Sequence, residues 1–306
     1  MSSRASSPAQ HRCEVVMSES NELFRIARVV LGAQGRNPQA VSRLAIGYAD
    51  PWTVDMPTRS AFTASLLAAA AAEDSSLAHS YYVLRHGQSL ANVAGIISSD
   101  PRTACAAHGL SAQGRRQAEQ AAAAVAAAAA NEGVDGVAIV TSDLRRAWMT
   151  ASLVRTHLMA AGVRVWPAVG GLHEATELRE RSFGELDGQS DSRYPDVWVE
   201  DANSASHEVY GVESVLSVRE RALSVIKRTE SLLPRDGGRY MVVLVAHGDV
   251  LQILQSAFFE GGIDPREHRS LPHLETATLR LMASAGTGMP DTCKSSAWPD
   301  KFSLSL

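Results

Sequence analysis

Two stretches of this sequence share one pattern, an apolar and partly β-branched run that stops abruptly at a His-Gly pair. The first, YYVLRHG, ends at Gly87, and the second, MVVLVAHG, ends at Gly248. Apolar runs of this length predict strands that are buried on both faces of a sheet. Ligands of open α/β sheets bind at the carboxyl ends of such strands. The pattern therefore predicts an α/β fold, with His86 and His247 at the edge of the sheet where chemistry takes place.

A cation stands beside the first of these histidines, because Arg85 directly precedes His86. Its guanidinium group is always charged, and its planar fork matches a phosphate or a carboxylate. We therefore expect an anion-binding site here. The other histidines have no comparable context and are interpreted as structural, with His173 kept as a weaker candidate because an acidic loop follows it. The structural group is His79, His108, His157, His207, His268 and His273.

From Tyr81 onward, strand-like and helix-like segments alternate along the chain. The predicted strands cover residues 81–86, 137–141, 163–167, 240–246 and 275–282. The predicted helices cover residues 111–131, 143–161, 192–200, 212–232 and 249–259. Ser111 is expected to be the N-cap of the first helix, whose alanine-rich body is a strong helix former. This alternation predicts a three-layer αβα fold, in which helices cover both faces of a mainly parallel sheet.

The regular region has a flanking segment on each side. Residues 1–77 lack the alternation and form an N-terminal extension, within which a short helix is predicted from Asn21. Residues 78–284 form the main domain. Residues 285–306 are rich in Gly, Pro, Thr and Ser and are expected to form a poorly ordered C-terminal tail.

Composition excludes several classes of function. The net charge of −4 and the pI near 6.2 argue against a nucleic-acid partner. The longest weakly polar run, residues 61–72, is too short to span a membrane. The cysteines are widely spaced and odd in number, which supports neither a disulfide framework nor a zinc site and favours a reducing compartment. They are Cys13, Cys105 and Cys293.

The expected location is the cytoplasm. Before Glu14 the chain carries Arg4 and Arg12 but no acidic residue, a pattern that weakly resembles a transit peptide. Import into mitochondria is therefore the alternative.

The residues around the two His-Gly pairs suit phosphoryl transfer. That reaction needs an in-line nucleophile, cations around the phosphoryl oxygens and an acid for the departing group. A neutral His86 could attack phosphorus and form a phosphohistidine that water later hydrolyses. Arg85 would then hold the phosphate.

Further candidates lie in two other segments. Arg145 and Arg146 fall in the first turn of the predicted helix 143–161, where basic residues oppose the helix dipole. Anion binding would explain that placement, although solvent-exposed arginines fit the segment equally well. An irregular stretch, LRERSFGELDG, supplies candidate proton donors, and position alone does not choose among them. They are Glu180, Glu185 and Asp187.

Together these segments resemble the histidine phosphatase superfamily, also called phosphoglycerate mutase-like proteins. Residues 84–89, Leu-Arg-His-Gly-Gln-Ser, are similar to the family signature, and Asn92 matches as well. The later matching segments follow in the family's order and lie within residues 109–118, 142–151, 180–188 and 246–248. The resemblance covers about residues 80–282, so the main domain 78–284 is expected to be the catalytic domain.

The resemblance implies a role for each candidate. His86 becomes the phosphorylated nucleophile, Arg146 rather than Arg145 binds phosphate, and Glu180 is the proton donor, for which it needs a raised pKa. His247, Arg85 and Asn92 join the phosphate pocket. The further implied substrate-binding residues are Ser89, Arg181 and Gly248. No metal ion and no cofactor are implied, because the pocket supplies its own cations.

The sequence also departs from the family's mutases. The aromatic segment that they carry after the signature is replaced by Val93–Ser99, and their Lys-Tyr-Gly and paired-Arg region is missing after Gly188. We therefore predict a metal-independent phosphomonoesterase acting on a phosphorylated small molecule or a phosphoprotein. The alternatives are a mutase-type phosphotransferase and, less favoured, an inactive module that binds phosphorylated ligands.

The variable segment 189–211 is expected to form the substrate wall. A subgroup that this chain resembles has Gly-Gly where Gly211 and Val212 stand here, a substitution expected to alter the loop. The chain could also form a homodimer.

Overall fold

The computed structural model describes residues 13–14, 44–45, 76–233, 238–259 and 262–290. The chain divides into two compact units, Met1–Ser76 and Leu77–Leu306. In the first unit, strand β1 (Cys13–Glu14) pairs in parallel with strand β2 (Leu44–Ala45). The helix predicted from Asn21 lies outside the described residues.

The second unit is built on a six-stranded mixed sheet. Its strands are β3 (Ser80–Arg85), β4 (Gly136–Thr141), β5 (Val165–Trp166), β6 (His173–Glu174), β7 (Tyr240–Ala246) and β8 (Leu279–Ala283). The order is β5-β4-β7-β3-β8, and β6 also pairs with β4. Every pairing is parallel except that of β8 with β3. The predicted α/β fold with a mainly parallel sheet is confirmed.

The centre of the sheet follows directly from the apolar runs. All six residues of β4 and all seven of β7 are buried, as expected for strands covered on both faces. In the parallel register, Arg85 of β3 lies opposite Ala246 of β7. The two His-Gly pairs therefore leave the sheet at the same level and side by side.

Helices cover both faces of this sheet. They are α1 (Leu90–Ala94), α2 (Pro101–Ala104), α3 (Ala112–Glu132), α4 (Arg145–Ala160), α5 (Tyr194–Asn203), α6 (Val215–Leu232) and α7 (Gly248–Phe258). Buried side chains of α3 and α4 pack with Met241, Val243 and Val245 on one face, and those of α6 and α7 pack with Val242 and Leu244 on the other. Burial of the apolar side chains on both faces drives this arrangement. In the described residues, none of the helices has the length and apolarity needed to span a membrane.

Some predicted boundaries were wrong for local reasons. The last strand begins at Leu279 rather than at residue 275, because Ala277 adopts a positive φ and its N–H bonds the carbonyls of Arg85 and His86. The strand predicted at 163–167 is limited to Val165–Trp166. Three short elements, α1, α2 and β6, have too few residues to show a periodic pattern and were missed.

Some of the predicted helices begin later than expected, whereas the last begins one residue earlier, at Gly248. The second predicted helix begins at Arg145, because Leu144 is extended and forms the N-cap. The fourth begins at Val215, since the Ser214 side chain accepts from the backbone N–H of Ser217 and caps it. Ser111 caps α3 as predicted, accepting from the Gly114 N–H.

The first residues of the predicted tail pack on the rest of the second unit, contrary to the expectation that the tail is poorly ordered. The Gly286 N–H donates to the Leu77 carbonyl at 2.8 Å, and the Leu77 N–H donates to the Thr287 carbonyl at 2.9 Å. Met289 packs against the hydrophobic core on the face of the sheet that α6 and α7 cover. The tail beyond residue 290 lies outside the described residues.

A third apolar cluster lies beside the variable segment. It consists of Ile97, Phe183, Leu186, Val197 and Val212, and Tyr194 packs against it. Val212, the residue that departs from the subgroup pattern, is buried in this cluster directly after Gly211, which adopts a φ of 67°. The substitution therefore adds apolar contact without requiring a positive φ at the new side chain.

Candidate active site

The end of β3 and the end of β7 bring two of the predicted site residues together. His86 follows β3, and His247 forms the N-cap of α7 directly after β7. Their ring centroids lie 5.1 Å apart, and the side chains are 2% and 0% exposed. Arg85 and Arg146 complete a group of four, which we call the histidine–arginine cluster: Arg85, His86, Arg146 and His247.

The loop that carries His86 is held by close backbone contact. A Cβ on Gly87 would lie 2.4 Å from the Gly114 carbonyl oxygen, and one on Gly114 would lie 2.0 Å from the Gln88 carbonyl oxygen. Only glycine fits at these two positions. The Gly87 N–H also donates to the Thr150 hydroxyl at 3.1 Å. The turn after β3 is therefore fixed against the starts of α3 and α4.

The hydrogen bonds of His86 leave one ring nitrogen as an acceptor. Nδ1 lies 2.8 Å from the Gly87 carbonyl oxygen and must donate to it, so Nδ1 carries the proton. Nε2 accepts from Nε of Arg146 at 3.0 Å. Burial, and then the charges of Arg146 and Arg85, hold the pKa of His86 well below its usual 6.5. The ring is neutral, with its lone pair on Nε2.

Arg146 and its neighbour Arg145 have opposite surroundings. Arg145 is exposed, whereas Arg146 is 3% exposed and reaches into the cluster. Besides its bond to His86, Arg146 donates from Nη2 to the Ser98 carbonyl at 2.9 Å, and its Nη1 is buried without a hydrogen-bond partner. Burial has the largest effect on the pKa of Arg146 and lowers it. Of the two arginines that the sequence left open, only Arg146 lies beside His86.

Arg85 is held by residues that the sequence did not identify. Its Nη1 donates to the Leu274 carbonyl at 2.8 Å and lies 2.7 Å from Nε2 of His273. Its Nε is buried and has no hydrogen-bond partner among the residues that the structure describes. His273 lies in an irregular segment with no periodic or charged pattern around it, so nothing in the sequence linked it to Arg85.

His247 presents a buried nitrogen of its own. Its Nε2 lies 2.9 Å from the hydroxyl of Ser142, and Nδ1 is buried with no hydrogen-bond partner in the described ranges. Burial, followed by the charge of Arg146, holds the pKa of His247 well below its usual value. Ser142 stands in the arginine-containing segment 142–151, but its contact with the second histidine was not predicted.

Three buried nitrogen atoms of the histidine–arginine cluster thus lack hydrogen-bond partners within the described part of the chain: Nε of Arg85, Nη1 of Arg146 and Nδ1 of His247. Leaving a buried polar group unpaired costs about 1–3 kcal/mol. Native structures contain few such groups, and three together call for a functional explanation. An anion with several acceptor oxygens, such as a phosphate, would satisfy all three.

The carboxyl groups of the acidic loop differ in their surroundings. Glu185 is exposed, and Oδ1 of Asp187 accepts from the Ser99 hydroxyl at 2.8 Å and the Asp100 N–H at 2.9 Å. Asp187 therefore anchors the segment that follows the signature. Glu180 instead accepts from the Arg181 N–H at 3.1 Å, and burial followed by the charge of Asp249 raises its pKa. The charges of Arg146 and Arg85 act on Glu180 in the opposite direction.

The remaining predicted substrate-binding residues fall into two groups. Ser89 and Asn92 form a capping box at the start of α1, in which Oδ1 of Asn92 accepts from the Ser89 hydroxyl at 2.9 Å. Because Oδ1 is the acceptor, the NH₂ group of Asn92 is the part of the side chain that can donate a hydrogen bond. Gly248, the first residue of α7, lies next to Arg85, where an added Cβ would lie 3.6 Å from the guanidinium carbon.

Arg181 is not directed toward the histidine–arginine cluster. Its side chain is 0% exposed, and it makes two bonds of 2.7 and 2.8 Å to Asp201 and one of 2.6 Å to the Glu213 carbonyl. These contacts occupy all three of its nitrogens. Its predicted contact with substrate stays a prediction, and the geometry favours an indirect role. The weaker candidate His173 lies in β6, with its ring packed on Trp166 at 5.2 Å.

The sequence matches a family model over this region. Residues 81–289 match the model of the histidine phosphatase superfamily, branch 1. The chain belongs to this superfamily. It is a phosphatase of the histidine phosphatase type, and the family predicted from the sequence motifs is confirmed.

Solved structures with the same fold include mycobacterial phosphatases. A mycobacterial glucosyl-3-phosphoglycerate phosphatase in complex with VO3 is 27% identical with a TM-score of 0.52, and the match covers 66% of this chain and 90% of that chain. Mycobacterial hydrolase 1 is 27% identical with a TM-score of 0.52, covering 66% and 87%. Mycobacterial hydrolase 2 is 25% identical with a TM-score of 0.52, covering 68% and 91%. No curated protein sequence matches the chain.

Proposed function

We propose that this phosphatase is a metal-independent phosphomonoesterase that forms a phosphohistidine at His86. The observation that supports the proposal most is the neutral His86 ring with its lone pair on Nε2, in a cluster that holds three buried nitrogens without hydrogen-bond partners among the described residues. Two arginines already supply the positive charge that the phosphoryl oxygens need. The pocket can therefore neutralise the substrate phosphate with its own side chains.

The first chemical step transfers the phosphoryl group to His86. Nε2 of His86 attacks phosphorus as the bond from phosphorus to the ester oxygen breaks, and the protonated Glu180 carboxyl gives its proton to the departing alkoxide. The Arg146 N–H that bonds Nε2 in the structure shifts to a phosphoryl oxygen, which frees the lone pair. Arg85 and His247 donate to the other oxygens.

The second step releases phosphate. Glu180, now a carboxylate, takes a proton from water as the water oxygen attacks phosphorus, and the bond from phosphorus to Nε2 breaks. Inorganic phosphate leaves, and His86 and Glu180 return to their starting protonation states. The raised pKa of Glu180 suits both halves of the cycle, because the group must be protonated in one and ionised in the other.

The substrate is proposed to be a phosphorylated small molecule. The variable segment, residues 189–211, carries the aromatic pair Tyr194 and Trp198, whose rings stack with centroids 5.8 Å apart. One structural neighbour is named for glucosyl-3-phosphoglycerate, so phosphorylated sugar acids are the first class to test. A location in the cytoplasm and a homodimeric state stay predictions from the sequence.

The test is turnover of p-nitrophenyl phosphate by the full chain with EDTA present. We expect phosphate release in EDTA at the same rate as without it. The exposed His157 provides a control, and His157→Gln should keep the activity of the natural sequence. No turnover by folded protein, or activity that EDTA removes, would contradict the proposal. Release of phosphate without transfer to added 3-phosphoglycerate separates hydrolysis from mutase activity.

A further inference from the structure

Asp249, the second residue of α7, carries a buried carboxylate that takes no part in the proposed chemical steps. Asp249 as a whole residue is 6% exposed, and its Oδ1 accepts from Nη1 of Arg269 at 3.2 Å. Oδ2 is buried and makes no hydrogen bond in the described residues, and its ion-pair partner, Nη1 of Arg181, lies 3.6 Å away. A buried carboxylate oxygen left in this state costs free energy, so its presence needs a reason.

Arg181 connects Asp249 to Glu180. The backbone N–H of Arg181 donates to Oε1 of Glu180 at 3.1 Å, while its guanidinium group reaches Asp249. The same guanidinium group is fixed by its two bonds to Asp201, which is itself fully buried and lies 2.7 Å from Nε2 of His207. Arg181 therefore contacts both carboxyl groups, one through its backbone and the other through its side chain.

Charged and titratable groups face Glu180 from four elements. Asp249 acts on it from α7, Arg146 from α4, Arg85 from the end of β3, and the Tyr194 hydroxyl from α5. After burial, the charge of Asp249 is the largest cause that raises the pKa of Glu180, and Arg146 is the largest that lowers it. Asp249 is thus the negative charge that offsets the arginines of the histidine–arginine cluster.

Two arginines lie beside the Asp249 carboxylate. Arg181 and Arg269 form ion pairs with it, and His268 and His273 also interact with it electrostatically. Arg181 is itself compensated by Asp201, so its positive charge does not cancel the effect of Asp249 on Glu180. Arg269 is held in place by Trp198, whose ring centroid lies 3.8 Å below its guanidinium carbon.

We propose that Asp249 is a positioning residue that keeps Glu180 protonated between turnovers, and that the Arg181–Asp201 pair fixes the two carboxyl groups relative to each other. This inference rests on the proposed function, in which Glu180 is the proton donor. Two carboxyl groups at one site resist ionising together, so the carboxylate of Asp249, in ion pairs with Arg181 and Arg269, favours the proton on Glu180. Asp249 acts through Glu180 and need not touch the substrate.

The test compares the pH dependence of kcat for Asp249→Asn with that of the unsubstituted chain. Phenyl phosphate, a poor leaving group that needs a proton, and p-nitrophenyl phosphate, a good one, serve as substrates. Loss of the Asp249 charge should move the basic limb of the phenyl phosphate profile to lower pH, by about one pH unit. The p-nitrophenyl phosphate profile should move less. Asp135→Asn, which removes an exposed carboxylate just before the amino end of β4, should leave both profiles in place.

A second variant predicts the opposite sign. Arg269→Gln removes a cation that offsets Asp249, so the basic limb should move to higher pH. A uniform loss of kcat without movement of either limb would show a merely structural role and overturn the inference. These outcomes are distinct from failure of the proposed function, in which the unsubstituted chain itself would not hydrolyse either ester.

Discussion

The two His-Gly strand ends have the same sequence pattern, the same burial and adjacent places in the sheet, but their environments differ. Nδ1 of His86 donates to its own loop and Nε2 faces Arg146, whereas Nε2 of His247 lies at Ser142 and Nδ1 has no partner. His86 therefore has its lone pair on Nε2, beside Arg146, and His247 has a buried Nδ1 that donates in the tautomer whose Nε2 accepts from Ser142. In the proposed mechanism, hydrogen-bond partners rather than strand position therefore decide which histidine attacks.

Replacing each histidine with the same residue should separate these roles most strongly. His86→Gln removes the attacking nitrogen and is expected to lower kcat/KM roughly 10⁴-fold or more, as for other covalent nucleophiles. His247→Gln removes one donor to the phosphoryl oxygens, and we expect a loss of about 10²- to 10³-fold. Steady-state hydrolysis of p-nitrophenyl phosphate measures both, with circular dichroism to verify folding. Equal losses would contradict the assignment of unequal roles.

The glycines that follow the two histidines provide a comparison of packing. A Cβ at Gly87 would meet the Gly114 carbonyl oxygen at 2.4 Å, whereas the nearest atoms to a Cβ at Gly248 lie at 3.6 Å. We expect Gly87→Ala to reduce the free energy of unfolding by about 1–3 kcal/mol, because the backbone must move. Gly248→Ala should leave it unchanged or raise it slightly, since alanine is the better helix residue. Urea unfolding of both variants measures the difference, and a Gly87→Ala protein as stable as the parent would refute the close contact.

The smallest expected effect is a pH dependence of the free energy of unfolding, to which both histidines contribute. The pKa of each is held well below 6.5 in the folded protein, and unfolding restores the usual value. Below about pH 6.5 the unfolded chain therefore binds more protons, and stability falls as the pH falls, by up to about 1.4 kcal/mol per pH unit for each histidine. Above about pH 6.5 each histidine makes its full contribution to the stability of the folded protein.

Removing one histidine should flatten this dependence. His247→Gln should lose less stability than the parent between about pH 7 and pH 5.5, because one proton-uptake site of the unfolded state is gone. The measurement is urea unfolding at several pH values, with His157→Gln as the control for an exposed ring. A slope that His247→Gln does not change would argue against a depressed pKa at His247.

The sequence predicted the parts of the molecule that are local in the chain. The apolar runs before His86 and His247 correctly indicated buried parallel strands, and the motif segments indicated the family. The start of β8 was missed, because the positive φ of Ala277 depends on bonds to a distant strand end. Strand length was also overestimated at 163–167, where only two residues find a partner strand.

Contacts between distant segments could not be predicted in the same way. The links from Arg85 to His273 and from Arg181 to Asp201 and Asp249 join residues far apart in the chain. No spacing or periodicity marks such pairs, since only the folded arrangement brings them together. For the same reason the sequence assigned Arg181 to the substrate, whereas its buried bonds to Asp201 favour a role in holding Glu180.

The proposed mechanism places the phosphoryl group on His86 alone, and locating that group on the protein tests the mechanism. The full chain is mixed with p-nitrophenyl phosphate, quenched at alkaline pH, digested and analysed by mass spectrometry, and the phosphohistidine isomer is identified by ³¹P NMR. Because Nδ1 of His86 is engaged with the Gly87 carbonyl, the account predicts phosphate on Nε2 of His86 and none on His247. Phosphate on His247, or on Nδ1 of His86, would contradict it.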